Sequence, residues 1–519
     1  MYKYDPITHL TIHAADRNAF RDAPQDLSLP PSFSGTKPLL PEPVWEGHPT
    51  ELACYWKTWE LAFAHTHPAT EVNGYARAFM DTHFNGHLFL WDSVFALEFL
   101  RYGRRAFNFQ GTLDTFYRKQ HKDGFICREL TEDTGEDCFH RFDPCSTGPN
   151  IFAWSELNHY EAVGDLERLK AVYPVLLAYH QWLRLYRSWP DGSYWYTGWG
   201  GGLDNQRRHE IPWLDNRGAQ EELERRWFLN GHISWIDATS NQLMSARHLL
   251  RIGDITGETE GRSYLENEVE RLKRYIDKKM WDPVSAFFYD RKADGSLSSL
   301  KSIVAYWTLL AEAVAPEKIE PFVAHLKDPA EFATPHRLPS IVRSDPDYSD
   351  DGDYWNGGVW PPTNTMVIKG LEAVGYETLA REIALNHYQN VITCFAKTGT
   401  VWENYSPSGP WQSSQSKPDN VGWSGLAPVA YLFEYVLGLR WDGKARRIRW
   451  NLGLTEKHGV LGFPVGKDGM VDLICEKRKS LEERPVIHAS STVPVDLELI
   501  WSGGRELRSL GNPSGGKIT

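Results

Sequence analysis

Two carboxylates stand in loops whose composition an ordinary turn does not need. Asp204 follows a run of glycines in GWGGGLDNQRRHE (198–210), directly behind the aromatic stretch SYWYT. A surface turn uses one or two glycines where φ must be positive; four glycines within five residues, flanked by tryptophans, leave bare backbone for a close neighbour. Glu403 lies in TVWENYSPSGPW (400–411), with Trp402 before it, Asn404 and Tyr405 after it, and SPSG turning the chain away. Two carboxylates facing each other across a sugar ring are the minimum for hydrolysing a glycosidic bond. One must carry a proton at working pH and hand it to the leaving oxygen; poorly hydrated aromatic walls raise a carboxyl pKa and keep it neutral. The other must stay ionised, to take a proton from water or to attack directly. With the carboxyls roughly 6.5–9.5 Å apart a water fits between them and the anomeric centre inverts.

Two further segments share this make-up, FNGHLFLWDSVFALEFLRYG (84–103) and GDYWNGGVWPPTNTM (352–366). Each residue in the four segments also has a plainer use. Asp204 alone could cap a helix or close a turn, and Glu403 alone could be a solvated loop carboxylate. Asp92, beside Trp91, could be a first-turn helix acid favoured by the helix dipole, a use compatible with sugar binding. Arg207 and Arg208 could hold a carboxylate on the leaving group through paired contacts, or form ion pairs with neighbouring acids. His83 and His87, with His65 and His67, have ligand-like spacings, but no third ligand is evident and Gly86 interrupts any helix, so no metal is expected. The acid-rich loop at 345–353 (DPDYSDDGD, Asp345 to Asp353) lacks the ordered spacing and closing Glu of a Ca²⁺ loop and reads as solvated, a structural cation being left open. Gly200, Gly201 and Gly202 do not form a dinucleotide fingerprint, and no cofactor is expected.

The order WDSVF, GLDNQRR, YWNGGVW, ENYSPSG, GWSGL along the chain resembles family 63 of the glycoside hydrolases over about residues 50–440. That group includes the processing α-glucosidase of N-glycans and bacterial members acting on mannosylglycerate and glucosylglycerate, and it is related to the inverting trehalases. The resemblance implies an (α/α)6 barrel and inverting, exo-acting cleavage of α-linked glucosides or mannosides. It implies Asp204 as general acid and Glu403 as general base. By the same resemblance Trp91 and Asp92 hold the non-reducing sugar, Tyr354, Trp355, Gly357 and Trp360 line the same subsite, and Gly202 and Tyr405 lie near the catalytic pair. Phe89 and Asn205, within the same motifs, are assigned to the subsite too, with Arg207 toward the leaving group. Two positions depart from the family pattern: Asn356 stands where many relatives carry Arg, and Ser408 where many carry Thr. The processing glucosidases are longer and membrane-anchored, so the chain looks closer to the compact bacterial enzymes for small glycosides such as a glycosylglycerate, a glycosylglycerol or a disaccharide.

Such a site needs elements that carry four distant segments to one mouth. From about 46 to 440 the dominant period is helical. In SYLENEVERLKRYIDKKMW, Leu272, Tyr275, Ile276 and Met280 recur at spacings of three and four and share a helix face. Three stretches run helix, Gly (Gly164, Gly253, Gly375), polar connection, helix, the plan of an αα-hairpin closed by a left-handed glycine. Hairpins repeated over some 400 residues give an open solenoid or a closed toroid, and long, aromatic-rich loops favour closure with the loops at one mouth. Residues 1–45, rich in Pro and polar residues, read as an extended N-terminal arm. Residues 441–519 read as a small antiparallel β domain: Val495, Leu497, Leu499 and Trp501 alternate with Asp496 and Glu498.

Composition fits this reading. Of 519 residues, 13% are aromatic and 22 are Trp, flat faces with a polar edge that suit a hydroxylated ring. A net charge of −12 without a Lys/Arg-rich run argues against nucleic acid or an anionic membrane as partner. No 18-residue apolar stretch and no signal-like start are present, and six scattered cysteines without a CxxC pair suit reduced thiols, so a cytoplasmic protein is expected. The expected partner is a small-molecule carbohydrate; a homo-oligomer stays open. Two rival functions are a sugar epimerase or isomerase on a similar barrel, which would want paired histidines, and an inactive carbohydrate-binding protein.

Overall fold

The computed structural model describes residues 12–82, 85–208 and 230–511. The chain is mainly helical, with antiparallel sheets gathered toward its C-terminal end. Helix Phe152–Val163 stops at Gly164, whose φ of 81° only glycine adopts without strain, and reverses into Leu166–Tyr186. Asp165 starts the second helix by accepting the Arg168 amide at 3.0 Å. Pro361–Ala373 reverses through Gly375 into Glu377–Thr398 in the same way. The middle hairpin, Ile236–Thr256 and Arg262–Lys279, corrects one expectation: Gly257, with φ 81°, closes the first helix. Gly253 lies inside that helix, where an added Cβ would come within 2.8 Å of the Glu258 carbonyl oxygen. Its role is close packing.

Six segments touch one another in cyclic order. They are Leu90–Leu100, Phe152–Val163, Ile236–Thr256, Trp307–Leu310, Pro361–Ala373 and the π-helical Leu426–Val436, which returns to Leu90–Leu100. Pro49–Ala64, Thr112–Arg118, Leu166–Tyr186, Arg262–Lys279 and Glu377–Thr398 each lean on one or two of them. Burial separates the two sets. Every residue of Leu90–Leu100 and of Leu426–Val436 is buried, as helices surrounded on all sides require, whereas Arg262–Lys279 buries little beyond the stripe of Leu265, Leu272, Tyr275 and Ile276. Three of the cyclic helices begin at motif residues: Leu90 next to Trp91 and Asp92, Pro361 after Trp360, Leu426 just after Trp423. The motifs therefore meet at the N-terminal ends of these helices.

Two four-stranded sheets follow. The first runs Glu42–Trp45, His458–Val465, Gly469–Cys475, Ile487–Ser491, all antiparallel. Its edge strand comes from the N-terminal arm, with Glu42 opposite Leu461 and Trp45 opposite His458, so the arm is woven into the far end of the chain. The second runs Gly504–Leu510, Val495–Trp501, Arg447–Asn451, Leu439–Asp442. It corrects the wholly antiparallel expectation, because Val495–Trp501 lies parallel to Arg447–Asn451. The first sheet's three later strands intervene between these two in sequence, and so long a crossover can return the chain in the same direction. All six cysteines are free thiols. No helix among the described residues is long and apolar enough to cross a membrane.

Candidate active site

The glycines ahead of Asp204 each do a separate job. Thr197 caps the single turn Gly198–Gly201, its hydroxyl oxygen accepting the Gly200 amide at 2.9 Å. Gly200 lies against another loop, where a Cβ would stand 2.8 Å from the Thr147 carbonyl oxygen. Gly202 ends the turn at φ 74°. The Leu203 amide donates back to the Gly198 carbonyl at 3.0 Å, and Asp204 follows. Asn205 then ties this turn to the third motif: its Oδ1 accepts the Trp355 amide at 2.9 Å and its Nδ2 donates to the Asp353 carbonyl at 3.1 Å. Arg208 is buried between Asp237 and Asp290, at 2.6–2.9 Å, with its guanidinium 4.1 Å over the Trp235 ring. Of the two uses open to Arg208, the structural ion pair is the one realised.

Glu403 is held by its backbone. Its amide donates to the Lys417 carbonyl at 3.0 Å and its carbonyl accepts Trp423 Nε1 at 2.8 Å. Tyr354 approaches from the third motif, its hydroxyl 3.5 Å from Glu403 Oε1. Tyr354 sits at φ 52°, an uncommon conformation for a bulky residue, and its carbonyl accepts both the Gly358 amide and Trp360 Nε1 at 3.1 Å. Behind it Trp355 and Trp360 stack with ring centres 3.7 Å apart and planes 3° from parallel.

These pieces enclose a cup of about 790 Å³, open to solvent on one side. Nine expected residues line it: Phe89, Trp91, Asp92, Gly202, Asp204, Tyr354, Trp355, Trp360 and Glu403. Four expected residues stand outside the lining. Asn205 is the tie described above. Arg207 is exposed and pairs with Asp347 at 2.9 Å. Gly357 packs beneath the loop, its amide donating to Ser340 Oγ at 3.0 Å, where a Cβ would reach within 2.7 Å of the Ser349 carbonyl. Tyr405 is buried behind Glu403 and exchanges backbone hydrogen bonds with Val359 at 2.8 and 2.9 Å. Asp92 lines the cup from the first turn of Leu90–Leu100, a position that suits either use open to it.

The lining also holds residues that sequence reasoning passed over: Arg128, Glu129, Trp199 and Trp423. Trp199 and Trp423 sat within motifs already singled out. Arg128, in GFICREL, carried no pattern to mark it, yet it is the cation of the described lining. Its Nε donates to the Cys145 carbonyl at 2.7 Å, Nη1 pairs with Glu129 at 3.0 Å, and the guanidinium lies 5.5 Å from the Trp199 ring centre.

Burial is the largest influence on all three acids. It pushes Asp92 up to about 8, Asp204 up to about 7 and Glu403 up to about 7. Arg128 opposes the rise at Asp204, while the charge of Glu403 adds to it; Lys417 opposes the rise at Glu403. The same three carboxylates raise the Tyr354 phenol, after burial itself. Glu403 Oε2 and Trp91 Nε1 are buried with no protein hydrogen-bond partner among the described residues. Unfilled polar atoms in a cup are what a ligand or an attacking water fills.

The histidines do gather acids, as the sequence did not foresee. His87 Nδ1 lies 2.6 Å from Glu129 Oε1, near Cys138, and His67 lies between Asp81 (4.0 Å) and Glu132 (3.8 Å). His67, Asp81 and Glu132 each bring one ligand-type atom within 4.8 Å of the others, as do His87, Glu129 and Cys138. His83 lies outside the described residues. In the 345–353 loop, Asp347 faces Arg207, Asp350 faces Arg343 at 3.7 Å and Asp353 accepts from Gln415, so the carboxylates serve separate partners.

A family model for the mannosylglycerate hydrolase MGH1-like glycoside hydrolase domain matches residues 86–416, which carry both loops and most of the cup. The chain belongs to this family. The likeness to family 63 read from the motifs therefore holds, and the chain is a glycoside hydrolase. This glycoside hydrolase is 25% identical over 397 residues to an uncharacterized protein of Borreliella burgdorferi, covering 73% of this chain and 78% of that one. It is 22% identical over 295 residues to a probable mannosyl-oligosaccharide glucosidase of Schizosaccharomyces pombe, covering 50% of this chain and 34% of that longer protein. Among solved structures, the family 63 mannosylglycerate hydrolase of Thermus thermophilus in complex with glucose superposes with a TM-score of 0.59 at 18% identity, over 72% of this chain and 99% of that one. At that identity the superposition speaks for the fold.

Proposed function

We propose that this glycoside hydrolase is an inverting, exo-acting α-glycosidase of small soluble substrates, built on an (α/α)6 barrel. Support for the barrel comes from the cyclic contacts of six helical segments, with others leaning on them. The observation that carries the activity is that Asp204 and Glu403 line one aromatic cup, with Glu403 Oε2 left without a protein partner. In this reading Asp204, held protonated by its surroundings, gives its proton to the glycosidic oxygen. Glu403 takes a proton from a water that attacks the anomeric carbon from the opposite face. Trp91 and Asp92 hold the terminal sugar, and stacked Trp355 and Trp360 wall it. The Thermus thermophilus relative is described as a mannosylglycerate hydrolase, and one of its structures contains D-glycerate. A glycoside of a small acid or polyol is the leading substrate, and Arg128 is the cation available to an acidic leaving group.

A panel of α-glucosides and α-mannosides of glycerate, glycerol and sugars, followed by proton NMR, tests this. Release of the β-anomer first from an α-substrate is expected. Release of the α-anomer first would replace inversion by retention and give Glu403 another role. Isomerisation of free sugar without glycoside cleavage would favour the epimerase reading.

A further inference from the structure

A second cavity is larger than the cup. A cleft of about 1930 Å³ opens at the other ends of the same helices, where they meet the β strands. Arg101 follows Leu90–Leu100, Arg251 stands in the last turns of Ile236–Thr256, and Lys369 and Glu434 lie late in Pro361–Ala373 and Leu426–Val436. Seven arginine or lysine side chains line the cleft against three carboxylates, in a protein whose net charge is −12. We propose that this cleft binds a phosphorylated small molecule, at a site separate from the glycosidase cup.

The cations divide into two groups. Arg101 and Lys369 are neutralised by Glu434, at 2.6 Å each; Arg440 pairs with Glu372 and Arg251 with Glu161. Helix C-terminal ends attract cations, which accounts for this group. Arg104, Lys444 and Arg446 have no carboxylate partner among the described residues. Arg104 donates Nε and Nη2 to the Gly466 carbonyl, at 3.2 and 2.8 Å, and Nη1 to the Arg101 carbonyl at 3.0 Å. A guanidinium has five N–H groups, so two remain for a ligand. Burial and the neighbouring Arg101 hold its pKa down at about 10, the direction expected of a cation among cations. Lys444 and Arg446 come from the turn between strands Leu439–Asp442 and Arg447–Asn451, where no helix dipole explains them. Arg446 occupies φ 49° there, a conformation that favours glycine. Asp442, the acid nearest in sequence, already accepts the Ala445 amide at 2.9 Å.

Arg104, Lys444 and Arg446 line one cleft, Arg446 also donating Nη2 to the Pro494 carbonyl at 3.0 Å, and several cations along one cleft suit a multiply charged anion better than a planar carboxylate, which one guanidinium can satisfy alone. Tyr102, Trp441 and Phe463 add aromatic surface for the organic part of such a ligand.

The test is calorimetric titration of the full chain with inorganic pyrophosphate at fixed ionic strength, with sodium sulfate as a control anion. Saturable binding of one pyrophosphate per chain is expected. The double variant Lys444→Ala with Arg446→Ala, on an exposed hairpin outside the packed core, should weaken it at least tenfold, as should Arg104→Ala. Arg104→Lys should weaken it less than Arg104→Ala does. Arg128→Gln, in the cup, should leave the affinity within twofold. Absence of saturable binding, equal affinity for sulfate, an unchanged hairpin variant, or loss of binding in Arg128→Gln would each overturn the proposal; the last would place the anion in the cup. Because the readout is binding, it stands or falls independently of the glycosidase reading.

Discussion

At the scale of single residues, the cup concentrates four carboxylates, one guanidinium and a phenol among aromatic walls, and that sets its chemistry. Asp204→Asn and Glu403→Gln should each lower kcat by about 10²–10⁴-fold while the melting temperature stays near that of the parent, since each amide keeps the size of the carboxyl it replaces and an oxygen that accepts a hydrogen bond. With Asp204 and Glu403 both pushed up to about 7, activity should follow a bell centred near neutrality, its limbs belonging to the coupled set. Arg128 opposes the rise at Asp204, so Arg128→Gln should raise the Asp204 pKa and move the alkaline limb of kcat/KM upward. A downward shift would contradict the acid role. Asp92 supplies a stability test. Its folded pKa, about 8, lies above the unfolded carboxylate range, so the stability tied to its proton is complete below about pH 4 and is lost as pH rises through 8. Asp92→Asn carries no such loss. Its melting temperature relative to the parent should climb between pH 4 and pH 8, read by thermal melts across that range. Most of these residues were legible in the sequence because aromatic and carboxylate neighbours marked them. Arg128 was not: a lone arginine in an apolar run looks like any other until the fold turns it inward.

At the scale of elements, loops succeed as active-site parts only when their backbone is fixed, and here glycine and asparagine do the fixing. Gly202 holds φ 74° immediately before Leu203 and Asp204, so Gly202→Ala forces a left-handed alanine. A loss of about 1–2 kcal/mol in denaturant unfolding is expected, with a fall in kcat larger than any change in KM, because the misplaced group is the proton donor. Asn205→Ala removes both hydrogen bonds between the Asp204 turn and residues 353–355. It should lower kcat by at least tenfold without preventing folding; unchanged turnover would show that the two loops hold their places unaided. The motif resemblance assigned Asn205 and Gly357 to the sugar subsite and Tyr405 to the neighbourhood of the catalytic pair, and all three stand behind the residues that line the cup. Motif spacing brings out that a residue belongs to a site, but which side of the loop it faces depends on partners far away in sequence, Val359 for Tyr405 and Ser340 for Gly357. Helix hairpins read more directly, because glycine closure is local. Gly253 misled because its requirement, room for the Glu258 carbonyl, comes from a residue beyond the helix end.

At the scale of the whole molecule, the far end of the helical cycle is held by charge. Glu434, on Leu426–Val436, accepts from Arg101 and Lys369 at 2.6 Å and from the Tyr102 hydroxyl at 2.9 Å, and so joins three of the six cyclic segments at one carboxylate. None of this was readable from the chain: positions 101, 369 and 434 lie far apart in sequence, and each looks like an ordinary surface charge on a helix. The woven arm was equally hidden, since Glu42–Trp45 finds its partner at the other end of the chain, at His458–Val465. Glu434 is nearly fully buried, and Lys369 and Arg101 hold its carboxyl well below the usual range against the opposing effect of burial. Glu434→Gln keeps the shape but leaves two cations facing a neutral amide. Removing one partner of a buried ion pair typically costs about 3–5 kcal/mol, because the remaining charge stays desolvated. The melting temperature at pH 7 should therefore fall by several degrees, in a protein whose cup residues are untouched. The sign with pH follows from the depressed pKa. The carboxylate's contribution is present above the unfolded value of about 4.3 and fades as acid titrates it in the native state. The gap between parent and Glu434→Gln should be widest near neutrality and narrow as the pH is lowered below about 4. A gap that instead widened in acid would mean that Glu434 is protonated at neutral pH and that the cycle is closed by packing alone.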